Sequence, residues 1–176
     1  MSDDRRTEVF EELFATHYWA VRGFVLRRAV SSVADDVVAE TFLVAWRRLD
    51  SVGDDPLPWL MGVARRLLAN QHRAERRRGA LLDRLASLAG PGPTWEPPAQ
   101  MSSPLAAAMT SLSEREREAL LLVAWEGLDS RRAARVVGCS PAAFRVRLHR
   151  ARRRVADALE TESNPAPHPS IAEEAS

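Results

Sequence analysis

Lysine is absent from this chain, so each of its 25 basic residues is an arginine. Guanidinium groups suit phosphate and guanine edges, and the same arginine excess also follows from GC-rich coding. Cysteine occurs once, at Cys139, which excludes an internal disulfide framework. The four histidines, His17, His72, His149 and His168, stand at spacings unrelated to any zinc site, and no metal or cofactor is expected. Long apolar runs are missing too. The longest, Ala119 to Trp125, is far short of the roughly 20 residues of a membrane span. The opening MSDDRR lacks the basic start and apolar core of a signal peptide. These absences predict a soluble, cytoplasmic protein without direct membrane insertion. Sustained alternation of β-branched and polar residues is also lacking, which excludes a sheet-based fold.

What the chain does contain is helical periodicity over 176 residues, enough for one ordinary domain or two small ones. With 45% hydrophobic residues it can build packed cores. The net charge of +1 hides opposed blocks. Residues 1–55 carry 7 Arg against 11 acids, residues 56–87 carry 7 against 2, and residues 140–160 carry 6 against 2. Two separate basic segments imply two contacts with a polyanion.

The expected fold is all-α, with two small helical domains. In the first, spanning residues 1–87, one helix carries Phe10, Phe14 and Val21 with Leu13, Ala20 and Phe24, and fades near Arg28. A second runs from about Ala34 to Leu49. After the polar loop Asp50 to Asp55, Pro56 and Pro58 open a third that reaches Arg78 or slightly beyond. Residues 88–104 read as a linker, because five of the eleven prolines fall between Ala89 and Pro104, together with Gly90 and Gly92. Trp95 within it is a docking anchor or a loosely packed aromatic.

The second domain spans residues 105–160. Ser113 and Glu116 form a capping-box pattern ahead of the apolar ALLLVAW, which is expected to be buried and to end at Gly127. Asp129 caps a short helix, Gly138 and Cys139 turn the chain, and Ser140 with Pro141 starts a final helix. Two helices about such a turn make a helix-turn-helix. Residues 161–176 read as a disordered tail.

Along the final helix Phe144, Leu148, Ala151 and Val155 form an inward stripe. The rest is basic: Arg145, Arg147, Arg150, Arg152, Arg153 and Arg154, as a recognition helix in a major groove requires. In the third helix Arg65, Arg66, Arg73, Arg76, Arg77 and Arg78 form either a solvated face or a binding surface. There Trp59, Asn70 and His72 could stack on or hydrogen-bond to unpaired bases, with Trp59 equally suited to the core. In the second helix Val38, Phe42, Ala45, Trp46 and Leu49 point inward. Asp36, Glu40, Leu43 and Arg47 share the opposite face, where a leucine among charges marks a protein contact.

Four blocks carry a family resemblance: ADDVVAETFLVAWRR (34–48), PWLMGVARRLLANQHRAERRR (58–78), LSEREREALLLVAWEGL (112–128) and SPAAFRVRLHRARRR (140–154). In that order, with a Pro-rich linker between the second and third, the chain resembles a bacterial RNA polymerase sigma factor of the extracytoplasmic-function (ECF) group. The resemblance implies a non-enzymatic initiation factor that binds core RNA polymerase, directs it to promoters and helps open the DNA. It implies docking of Asp36, Glu40, Leu43 and Arg47 on the clamp of one large polymerase subunit. It implies minus-10 recognition through Trp59, Arg65, Arg66, Asn70, His72, Arg73, Arg76 and Arg77. For the minus-35 element it implies Arg132, Ser140, Ala143, Arg145, Arg147, Arg150 and Arg154, with the second domain also touching the flap of the other large subunit. Many members are held by an anti-sigma protein. Ala39, Arg66 and Asn70 depart from the family's usual Gln, Asn and Asp, and Arg131, Arg132, Ala133, Ala143, Phe144 and Val146 depart in the second domain. Promoter sequence therefore does not transfer.

Two other classes compete. A freestanding helix-turn-helix regulator would need neither a polymerase-docking helix nor a single-strand reader. An enzyme would need a convergent polar site, which the scattered histidines and Cys139 do not supply. Cys139 itself reads as a small turn residue rather than a redox switch.

Overall fold

Helix α1 (Asp3–Leu26) begins with Asp3 and Asp4 in its first turn, where carboxylates complement the helix dipole. Helix α2 (Ser31–Arg47) follows, then a single 3-10 turn at Leu49–Ser51. Pro56 opens α3 (Pro56–Ala86), whose 31 residues make a rod of about 46 Å. The structure is a computed structural model that describes residues 3–29, 31–86, 101 and 103–163. Most of the predicted linker, Trp95 included, and the tail from residue 164 lie outside the described residues.

The remaining helices are α4 (Ser103–Ser111), α5 (Glu114–Ala124), α6 (Ser130–Val137) and α7 (Pro141–Ser163). Among the described residues every regular element is helical. Four boundaries differ from expectation. Helix α3 runs beyond Arg78 to Ala86, and α2 begins at Ser31 rather than near Ala34. Helix α4 reaches into the predicted linker, because Pro104 occupies a first-turn position that needs no backbone N–H. The final helix α7 extends to Ser163, past the predicted tail boundary.

Capping residues act as expected in the second half. The Ser113 hydroxyl accepts from the Glu116 N–H, while the Glu116 carboxylate accepts from the Ser113 N–H at 3.2 Å. Asp129 accepts from the N–H groups of Arg131 and Arg132 at 2.8 and 2.9 Å. Gly138 takes φ +72° as the C-cap of α6, a left-handed conformation that suits glycine. Ser140 accepts from the Ala143 N–H at 3.2 Å at the head of α7.

The three long helices of the first half pack on one another through Val21, Phe24, Val25, Val37, Val38, Phe42, Leu60, Met61 and Ala64, all buried. The α1 stripe is split: Leu13, Val21 and Phe24 are buried, whereas Phe14 is 40% exposed beside Tyr18 and Phe42. Arg6 ties α1 to α2, donating to the Trp46 carbonyl at 2.6 Å while its guanidinium lies 5.3 Å from the Trp46 ring centre. In the second half, Met109, Leu112, Leu121 and Ala151 join α4, α5 and α7 in a small cluster. The main core does not stop at the linker: Ala119, Leu122, Leu128, Ala133, Ala134, Val136, Phe144 and Leu148 continue it from the second half. ALLLVAW is not wholly buried, since Trp125 lies at the helix end and is 43% exposed.

Candidate functional site

Three surfaces carry the residues singled out in the sequence. On α2, Asp36, Glu40, Leu43 and Arg47 are all exposed and follow one another at steps of four, three and four. Val37, Val38, Phe42 and Ala45 on the other side are buried, which fixes the orientation of the helix. Asp36 and Glu40 also line a shallow groove of about 430 Å³ shared with Asn70, Gln71 and Arg77 of α3. The acidic face of α2 therefore adjoins the basic face of α3.

On α3, Arg66, Asn70, Arg73, Arg76 and Arg77 are exposed, and Arg73 donates to the Asn70 side-chain oxygen. His72 is half-buried. The side chain of Arg78 lies outside the described residues. Trp59 is half-buried and packs against the core. Arg65 is half-buried, and its Nε donates to both carboxylate oxygens of Glu118 on α5, at 3.0 and 2.9 Å.

On the helix-turn-helix, Phe144, Leu148 and Ala151 are buried, and Val155 packs beside Ala151. Ala143, Arg145 and Arg150 are exposed and Arg147 is half-buried, so the first turns of α7 present a basic surface. Three of the predicted DNA contacts also have partners within the protein. Arg132 donates to both oxygens of Asp55, from Nη2 at 2.7 Å and Nε at 3.1 Å. Arg154 donates to Glu116 Oε2 at 3.0 Å and so turns back onto α5. Ser140 is committed to its cap.

Several ionisable groups are shifted by their structural partners. The Ser113 hydroxyl hydrogen bond, assisted by the Ser113 N–H and Arg154, holds the Glu116 carboxyl below its ordinary range against the opposing effect of burial. Two backbone N–H groups at the head of α6 do the same for Asp129. Burial pulls the Arg28 guanidinium down from its ordinary value, with Glu126 opposing it. Among the described residues no group of three His, Cys, Asp or Glu is placed to hold a metal ion, and no helix is long and apolar enough to cross a membrane.

The sequence reading missed the residues that join the two halves: Arg27, Arg28, Asp55, Glu118, Glu126 and Arg135. Gly62 was the available signal. A glycine inside a helix costs about 1 kcal/mol relative to alanine, so its presence within α3 calls for a close neighbour. Here a Cβ on Gly62 would meet the Val136 carbonyl oxygen at 3.5 Å.

Comparison with known proteins decides the family. Residues 13–78 match the Sigma-70 region 2 family and residues 102–155 match the Sigma-70, region 4 family. The RNA polymerase sigma factor CarQ of Myxococcus xanthus is 32% identical over 152 residues, covering 84% of this chain and 87% of CarQ. The chain belongs to the RNA polymerase sigma factors. The ECF sigma factor EcfG of Rhodopseudomonas palustris is 32% identical over 133 residues, 72% of this chain and 71% of EcfG, which places the protein in the ECF group. The probable sigma factor RfaY of Xanthomonas campestris is 36% identical over 137 residues, 73% of this chain, and the chain spans only 34% of RfaY. Among solved structures, the sigma factor RpoE of Bartonella quintana in complex with the anti-sigma factor NepR superposes with a TM-score of 0.63 at 26% identity, covering 87% of this sigma factor and 98% of RpoE. CnrH in complex with the cytosolic domain of CnrY gives 0.58 at 26% identity, covering 87% of this sigma factor and 88% of CnrH. As a sigma factor the protein acts in transcription initiation.

Proposed function

We propose that this cytoplasmic, non-catalytic sigma factor engages core RNA polymerase through the exposed face of α2 and the promoter through α3 and the helix-turn-helix. Asp36, Glu40, Leu43 and Arg47 dock on the clamp of one large subunit, and the second domain touches the flap of the other. The exposed arginines of α3, with Asn70 and His72, hold the minus-10 region as single strand. Trp59 adds a stacking surface, and Arg65 becomes available to that strand when released from Glu118. The head of α7, with Ala143, Arg145, Arg147 and Arg150, lies in the major groove of the minus-35 element. Arg132 joins it when released from Asp55. Arg154, still 59% exposed while it donates to Glu116, belongs to the same DNA-facing set.

One observation carries this reading. All four α2 residues are exposed on a single stripe although the helix behind them is firmly buried, so the face is built for a partner. A duplex-binding regulator has no use for it. RpoE was captured with the anti-sigma factor NepR and CnrH with the cytosolic domain of CnrY, which supports an anti-sigma partner for this chain as well. The test is Asp36→Arg with Glu40→Arg in run-off transcription with core polymerase. The double variant should keep its helix content and lose transcription and polymerase binding; unimpaired transcription would remove the docking assignment.

A further inference from the structure

Among the described residues of α7, Val146 is the large apolar side chain that stays in solvent, 52% exposed. Phe144, Leu148 and Ala151 are buried, and at about 3.6 residues per turn Val146 points directly away from them, at the middle of the outward face. Ala142 and Ala143, one turn earlier, are exposed and apolar as well. Arg145 borders this strip on one side, and Arg147 and Arg150 border it on the other. The head of α7 therefore presents a narrow apolar strip between guanidinium groups.

A valine at this position gains little within the fold. Its β-branched side chain favours a helix less than alanine does, and it joins neither apolar cluster of the described residues. What it offers is a pair of methyl groups held rigid. Branching confines χ1 in a helix almost to one rotamer, so little freedom is lost when those methyls meet a surface. The major groove supplies a matching surface at one base only. Thymine carries a C5-methyl group there, whereas cytosine has hydrogen at that carbon and the purines present polar edges. The flanking arginines neutralise phosphates on the groove walls, and the small side chains of Ala142 and Ala143 permit close approach. Burial of one methyl group is worth about fourfold in affinity, enough to bias a single base pair.

We propose that Val146 reads a thymine at one position of the minus-35 element through van der Waals contact with its C5-methyl group. The proposal rests on the promoter-binding reading above and adds to it a residue that selects a base without a hydrogen bond.

In the experiment the full chain selects a preferred minus-35 sequence from a randomised library, once with core polymerase and once alone. Each thymine of the selected duplex is then replaced in turn by deoxyuridine, which deletes the C5-methyl group and keeps every hydrogen-bonding group. One replacement should weaken binding by the wild type about fourfold and leave binding by Val146→Ala unchanged. Val146→Ala should keep its preference at the other positions and melt no lower than the wild type, since the side chain it shortens is exposed. Deoxyuridine that costs nothing at any position, an equal cost in both proteins, or a selected sequence without thymine overturns the proposal. So does a Val146→Ala variant that loses affinity for core polymerase alone while its thymine preference persists. The selection without polymerase separates the two readings. If only the chain alone selects a sequence, and the deoxyuridine effect there depends on Val146, the sigma reading falls and the methyl contact stands. If neither selection yields a sequence, both fall.

Discussion

Glu116 illustrates how one side chain serves several structural ends. Its carboxylate closes the α5 capping box and receives Arg154 from α7 on the same oxygen. Glu116→Ala should cost about 1 kcal/mol, as loss of a helix cap does. The pH sense follows from the direction of the shift. The folded carboxyl is held below its ordinary range, so its contribution is complete at neutral pH and is lost as pH falls through the folded value. Thermal melts below about pH 5 should therefore decline more steeply for the wild type than for Glu116→Gln. Parallel declines would show that the carboxylate adds nothing beyond the amide.

At the scale of elements, α7 divides its arginines by position. Arg147 lies within two turns of the capped N-terminus, where helix-turn-helix proteins enter the groove, whereas Arg153 is exposed further along and lies 3.9 Å from Asp157. Arg147→Ala should cost about 1 to 3 kcal/mol at the preferred minus-35 site and relax preference there. Arg153→Ala should act alike on all sequences. Both are read against a randomised minus-35 library with core polymerase present; equal, sequence-independent losses would mean that Arg147 grips phosphate only. Arg154→Ala should lower melting as well as promoter binding, because it also pairs with Glu116. These helices were legible in the sequence because their signals are local: a capping box, an Asx cap, a glycine at positive φ, a Ser-Pro start. Helix α4 was less so. Its apolar run, Leu105 to Met109, is mostly alanine and follows a proline-rich stretch, and Pro104 reads equally as loop or first turn.

The whole molecule depends on contacts that no local pattern encodes. Arg65 and Arg132 look like DNA contacts in the sequence, yet each pairs with an acid on the other half, 53 and 77 positions away. Such pairings depend on which faces the halves turn toward each other, and only Gly62 hinted at a close approach. The exposed α2 face was legible because amphipathic periodicity alone fixes which side of a helix is buried. The free protein should bind promoter DNA weakly and its polymerase complex tightly, since each half supplies only part of the area a specific site needs. Titrating promoter fragments with and without core polymerase checks this. A tight, sequence-specific complex of the chain alone would favour a freestanding regulator.

This chain should give core RNA polymerase its promoter choice by docking through α2 and reading DNA through α3 and the helix-turn-helix. Reconstituted run-off transcription over a promoter library, with core polymerase and either the wild type or Asp36→Arg with Glu40→Arg, tests it most directly. The wild type should select a discrete set of promoters with recognisable minus-10 and minus-35 elements, and the double variant, still helical, should select none. Transcripts that do not depend on the added chain, or the same promoters selected by both proteins, would contradict it.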